Sequence, residues 1–150
     1  MNTNFAFNFI LPLVFIWVGF VCAISFMEAW LKFQAPGVTT QTGLGIGRLV
    51  FSSLNKVEIS FSIAILLCLF IAKPKGGFAL YFLFLSMVVL VIQSIWLLPK
   101  LDERAQMIIQ NIKVKESKIH ILYVILELIK VISLMSYGLI VLKNKINGNE

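Results

Sequence analysis

His120, Tyr123, Glu127, Lys130 and Tyr137 follow one another at steps of three, four, three and seven, which aligns all five on one face of a helix. The segment that carries this stripe, IHILYVILELIKVISLMSYGLIVL, is 24 residues long and apolar enough to cross a bilayer. Such a solvent rejects ionised side chains unless they turn inward and find partners. A histidine, a carboxylate and an ammonium on one stripe therefore raise the chemistry of cation binding or proton carriage.

The other apolar blocks add polar groups at a similar level: Glu28 at the end of the first, Glu58 a few residues into the second, and Gln93 near the end of the third. The expected site between the helices comprises Glu28, Glu58, Gln93, His120, Glu127 and Lys130. Its carboxylates can titrate near neutrality once desolvated. For a metal, the candidate ligands are His120, Glu127 and Glu58. An ordinary reading competes. Glu127 and Lys130 at i,i+3 can neutralise each other, Glu28 and Lys32 at i,i+4 form a common interfacial pair, Lys130 can snorkel, and His120 can sit among headgroups. Haem is the weaker cofactor reading, because there is one histidine, with Met27 and Met87 as further axial candidates. The expectation is no cofactor, with metal or haem as the alternative.

These residues need a scaffold, and composition names it. Of 150 residues, 59% are hydrophobic and 13% charged, against roughly a quarter charged in soluble proteins. The apolar residues fall in long blocks, so the expected fold is all-α: one transmembrane domain over 1–150, an integral membrane four-helix bundle. The spans are placed at about 5–30, 43–72, 77–98 and 119–142. Val57 to Ala72 is short for a bilayer of ~30 Å at ~1.5 Å per residue, so the second helix must begin near Gly43. It then carries a polar stripe of Arg48, Ser52, Asn55 and Ser62 beside Glu58. The third span is expected to stop at Trp96 and Pro99. An amphipathic connection over about 100–118 follows, in which Leu101, Ile108 and Ile112 keep helical spacing and a short helical extension of the third span is expected; the last residues, KNKINGNE, read as disordered.

The net charge of +6 does not point to nucleic acid, because the basic residues flank the spans rather than interleave with aromatics in a polar segment. Their expected partner is the headgroup region of the lipid bilayer. Lys32, Arg48, Lys56, Lys100, Arg104, Lys113, Lys115 and Lys118 lie in the two long connections, whereas Lys73, Lys75, Lys143 and Lys145 lie in the KPKGG turn and near the carboxyl terminus. The positive-inside rule puts the long connections in the cytoplasm and both termini outside. Cys22 and Cys68 lie inside apolar blocks and are read as free thiols. The first 27 residues hold no Lys or Arg, so the first block is expected to stay in the mature protein.

The run GLGIGR lacks the preceding strand of a dinucleotide loop and the GK[ST] of a Walker loop. Gly43 and Gly47 are instead a small-xxx-small surface for close helix packing. No G-x-S-x-G or H-E-x-x-H occurs, and no catalytic residue is assigned. The reading is non-enzymatic.

LYFLFLSMVVLVIQSIWLLP, followed by a loop and KIHILYVILELIKVISLMSYGLIVL, resembles the small four-span membrane family typified by human transmembrane protein two-hundred-five, which has bacterial relatives. The similarity rests on LYxLFLS, on W-L-x-P closing the third span and on the histidine opening the fourth, with a weaker match at WVGFVCAISF. It covers about two thirds of the chain. A shorter third connection and Gln93, in place of a smaller polar residue, depart from it. The resemblance implies a four-helix bundle, a distant cousin of copper-resistance and protoporphyrinogen-oxidase bundles, with His120 as a position of interest. The expected function is a small transport or stress-tolerance accessory, acting as a homo-oligomer or with a partner membrane protein, whose polar cluster near the cytoplasmic side takes a cation or proton. A metal or haem redox protein and a structural partner subunit are the alternatives. The expected location is the bacterial inner (plasma) membrane.

Overall fold

The computed structural model describes the backbone of residues 3–74, 77–115 and 117–148, and the side chains of these from residue 7 onward. Among the described residues there is no strand, and four helical rods are long and apolar enough to cross a membrane. The first, α1, is α-helical over Thr3–Val21, passes through a π-helical stretch at Cys22–Glu28, and ends in Ala29–Leu31 and a 3-10 turn at Lys32–Gln34. The second, α2, runs unbroken over Thr40–Ala72. The third, α3, joins Phe78–Ile92, a π-helical stretch at Gln93–Leu97 and Leu98–Ile109. The fourth, α4, is Ile119–Ile146. The chain is a four-helix membrane bundle.

Each helix buries a narrow stripe and gives the rest of its surface to lipid. On α1 the buried residues are Ile10, Val14, Trp17, Val21 and Ser25; on α4 they include Tyr123, Glu127, Lys130, Leu134 and Tyr137. Steps of three and four are the signature of one helix face. The opposite faces expose residues such as Phe70, Ile95 and Ile132, as expected where lipid replaces water. Packing is closest between α3 and α4 and between α1 and α2, with α1 also against α4. Over its apolar length α3 touches α2 little; the stretch Leu98–Ile109 closes the ring against α2 instead. There Arg48 grips Asp102 through two bonds, Nε to Oδ1 at 2.5 Å and Nη2 to Oδ2 at 3.1 Å.

Three boundaries differ from expectation. The second helix starts at Thr40 rather than near Gly43, because Thr39 caps it: its Oγ1 accepts from the backbone N–H of Thr42 at 3.2 Å. Pro99 does not stop the third helix. It enters the first turn of the Leu98–Ile109 segment, where a missing N–H is tolerated. The fourth helix continues through Lys143 and Lys145 to Ile146, so the first half of the tail read as disordered is helical; Asn149 and Glu150 lie outside the described residues. The placement of Lys75 in the turn between α2 and α3 also lies outside them. Lys73 closes α2 with a left-handed backbone, φ 43°, and Lys113 follows α3, so these two lysines stand at opposite ends of the bundle.

Gly43 and Gly47 pack against the end of α1. A Cβ on Gly43 would overlap the Phe33 ring, and one on Gly47 would lie 3.1 Å from Lys32 Nζ. Cys22 and Cys68 are free thiols.

Candidate functional site

Lys130 is wholly buried, and its ammonium is the centre of a polar cluster to which every helix contributes. Nζ lies 2.5 Å from Glu58 Oε1 on α2 and 3.2 Å from Glu127 Oε2, one turn back on α4. It donates to Gln93 Oε1 on α3 at 2.8 Å. The Gln93 amide donates in turn to Glu127 Oε1 at 3.2 Å and, over a longer 3.5 Å, to the Tyr123 carbonyl. From α1, the indole Nε1 of Trp17 donates to Glu58 Oε1 at 2.9 Å. Trp17, Glu58, Gln93, Glu127 and Lys130 are each no more than 1% exposed.

Local structure sets these directions. Glu127 and Lys130 share a face by their i,i+3 spacing. Glu58 and Leu54 occupy one buried stripe of α2, with Ile65 and Cys68 farther along. Gln93 opens the π-helical stretch Gln93–Leu97 and points into the bundle, while the next residue, Ser94, meets Asn55 on α2 at 2.6 Å. A π-turn inserts one extra residue and re-aims the side chains around it, which is why such turns gather at functional positions. Gln93 stands one turn before Trp96, which is half exposed and stacks beneath Lys100, as an interfacial aromatic does.

Of the six residues expected to share a site, the structure brings Glu58, Gln93, Glu127 and Lys130 together and leaves two out. Glu28 pairs with Lys32 at 3.0 Å, on the last turns of α1. His120 keeps the angular position of the stripe but is exposed, because the helices separate at its level and enclose a cavity instead. Lys130 does not snorkel; its ammonium turns inward to the carboxylates. Trp17 was not among the expected site residues. Its signal is a tryptophan in the interior of an apolar span, where the indole N–H needs an acceptor.

The arrangement does not fit a resident metal. Among the described residues no group of three or more His, Cys, Asp and Glu is placed to hold one. The two carboxylates that come together already enclose an ammonium, a cation carried by the chain itself, and His120 lies apart. Met87 packs in the apolar core with Ile65, Cys68 and Leu83, whereas Met27 is exposed, so neither joins His120 in a haem-ligand set.

The cluster is unbalanced in charge. Two buried carboxylates face one ammonium: Lys130 donates to Glu127 Oε1 at 3.3 Å and lies 3.2 Å from Oε2, which accepts no aligned hydrogen bond. In surroundings this dry, an uncompensated charge or an unpaired oxygen is costly. A proton on one carboxyl removes the excess charge. Comparison with protein-family models, curated proteins and solved structures returned no match.

Proposed function

We propose that this protein is a small transport or stress-tolerance accessory of the membrane, in which the Glu58–Lys130–Glu127–Gln93 cluster binds and exchanges a proton. The observation that carries this reading is the excess of one carboxylate over the ammonium inside a fully buried, four-helix cluster. The titratable or charged groups facing it are Glu58 from α2 and Tyr123, Glu127 and Lys130 from α4; α1 and α3 contribute the neutral Trp17 and Gln93. Intramembrane ionisable groups of this kind mark ion and proton pathways.

Lys113 and its neighbours face the cytoplasm by the positive-inside rule, both termini face outward, and the membrane is a bacterial inner membrane. The chain is kin to the four-span family and assembles with further copies or a partner membrane protein, since four helices around a filled core leave little room for a wide pathway. A proton exchanged in the cluster then drives or gates a larger assembly.

Proton binding by the purified protein is the direct test. Titration in weakly buffered detergent solution should show about one more proton bound by the wild type than by Glu127→Gln near neutral pH. Equal proton binding by the two contradicts proton exchange and favours a purely structural subunit.

A further inference from the structure

The cavity beside His120 is separate from the buried cluster and has its own chemistry. Its volume is about 410 Å³, inside the roughly 300–1,000 Å³ of small-molecule sites. All four helices line it, and Phe33, Phe51, Leu44 and Leu101 make its walls largely apolar. Gly43 and Gly47 lie along the same wall. Tyr123 separates it from the cluster, its ring lining the cavity and meeting Phe51 edge-on at 5.7 Å.

Its polar groups gather among the lining residues Lys32, Arg48, Asp102 and His120. Arg48 spends Nε and Nη2 on Asp102, which leaves Nη1 for another acceptor. Lys32 gives one bond to Glu28, which leaves two ammonium protons. His120 is exposed and has no side-chain partner among the described residues. The stretches that frame this end, 28–48 and 100–118, hold seven lysines and arginines against four carboxylates. Half-exposed Trp30 and Trp96 set the cavity at the depth of an interfacial belt.

We propose that this cavity binds an anionic phospholipid from the leaflet on the Lys113 side, with acyl chain against Phe33, Phe51 and Leu101 and phosphate at Arg48, Lys32 and His120. Charge complementarity selects this occupant. Arg48 and Lys32 keep spare N–H donors although each is paired with a carboxylate, the framing segments supply the excess positive charge, and an apolar chamber at headgroup depth accepts the chain that accompanies the phosphate.

Native mass spectrometry of the purified protein in neutral detergent tests it, using phosphatidylglycerol and phosphatidylcholine with identical chains. The wild type should hold phosphatidylglycerol tighter by about fivefold for each basic side chain engaged. Ser52→Trp, at an exposed lining position, should fill the cavity and lower retention of phosphatidylglycerol, and Arg48→Gln should narrow the preference. Glu127→Gln should change neither, which separates this proposal from proton exchange. Excess inorganic phosphate should compete only weakly, because it cannot fill the apolar chamber. Equal retention of the two lipids by the wild type would overturn the proposal even if Ser52→Trp failed to fold. So would retention unaffected by a folded Ser52→Trp, or full displacement by phosphate, which would indicate a site for the free anion.

Discussion

Lys130 Nζ and Glu58 Oε1 meet at 2.5 Å across the α2–α4 interface, both side chains buried. Glu58 Oε1 also accepts from Trp17, so one oxygen ties three helices together. A buried pair adds little over a well-packed apolar pair, but breaking it by removing one partner costs about 3–5 kcal/mol.

The partners should therefore differ in how much their loss matters. Lys130→Leu strands two carboxylates and should destabilise most, by about 3–5 kcal/mol. Glu127→Gln leaves Lys130 paired with Glu58 and should cost least. Replacing Lys130, Glu58 and Glu127 together with leucine should recover much of the loss. Thermal unfolding in detergent, followed by circular dichroism, orders these variants, and Glu127→Gln falling below Lys130→Leu would contradict the ranking.

Trp17→Phe keeps an apolar ring but removes the indole donor. It should cost about 1.5–3 kcal/mol, the range for a hydrogen bond to a charged group. Trp17→Leu should cost more through lost volume. Equal stability of wild type and Trp17→Phe would show that the indole serves packing alone.

The glycine positions should be unequal. Gly43→Leu drives atoms deep into the Phe33 ring, three of whose carbons would lie within 3 Å of the new Cβ, whereas Gly47→Leu meets the Lys32 side chain at 3.1 Å, a far smaller overlap. Both overpack by the usual ~1–3 kcal/mol, with Gly43→Leu the more damaging. Melting profiles of the two variants compare them directly.

Single cysteines at Lys73 and Lys113 should react with a membrane-impermeant maleimide from opposite sides of intact cells, Lys73 from outside. Equal labelling of both would contradict the four-span topology.

The cluster was readable from the sequence where helical spacing alone decides neighbours. Tyr123, Glu127 and Lys130 lie on one face because they are three and four residues apart, and the level of Glu58 and Gln93 follows from the span boundaries. Spacing does not report how far apart helices stand at a given height, so His120, on the same stripe, faces a cavity, and Glu28 finds Lys32 before it can reach another helix. The continuation past Pro99 was legible in part, because Leu101 and Ile108 keep helical spacing, whereas the π-turn at Gln93–Leu97 leaves no periodic mark in an apolar run. Trp17 was hidden because a tryptophan among aliphatic residues reads as packing until its acceptor on another helix is known.

Infrared difference spectroscopy on protein in lipid nanodiscs tests the central claim most directly, because a protonated carboxyl and a carboxylate absorb at different C=O frequencies. With glutamate isotopically labelled at the carboxyl carbon, the wild type should show a carboxylic-acid band at neutral pH that shifts with the label, disappears as pH is raised, and is absent from Glu127→Gln. A spectrum with only carboxylate bands across the same range, or a band unchanged in both Glu127→Gln and Glu58→Gln, would contradict a proton held in the cluster.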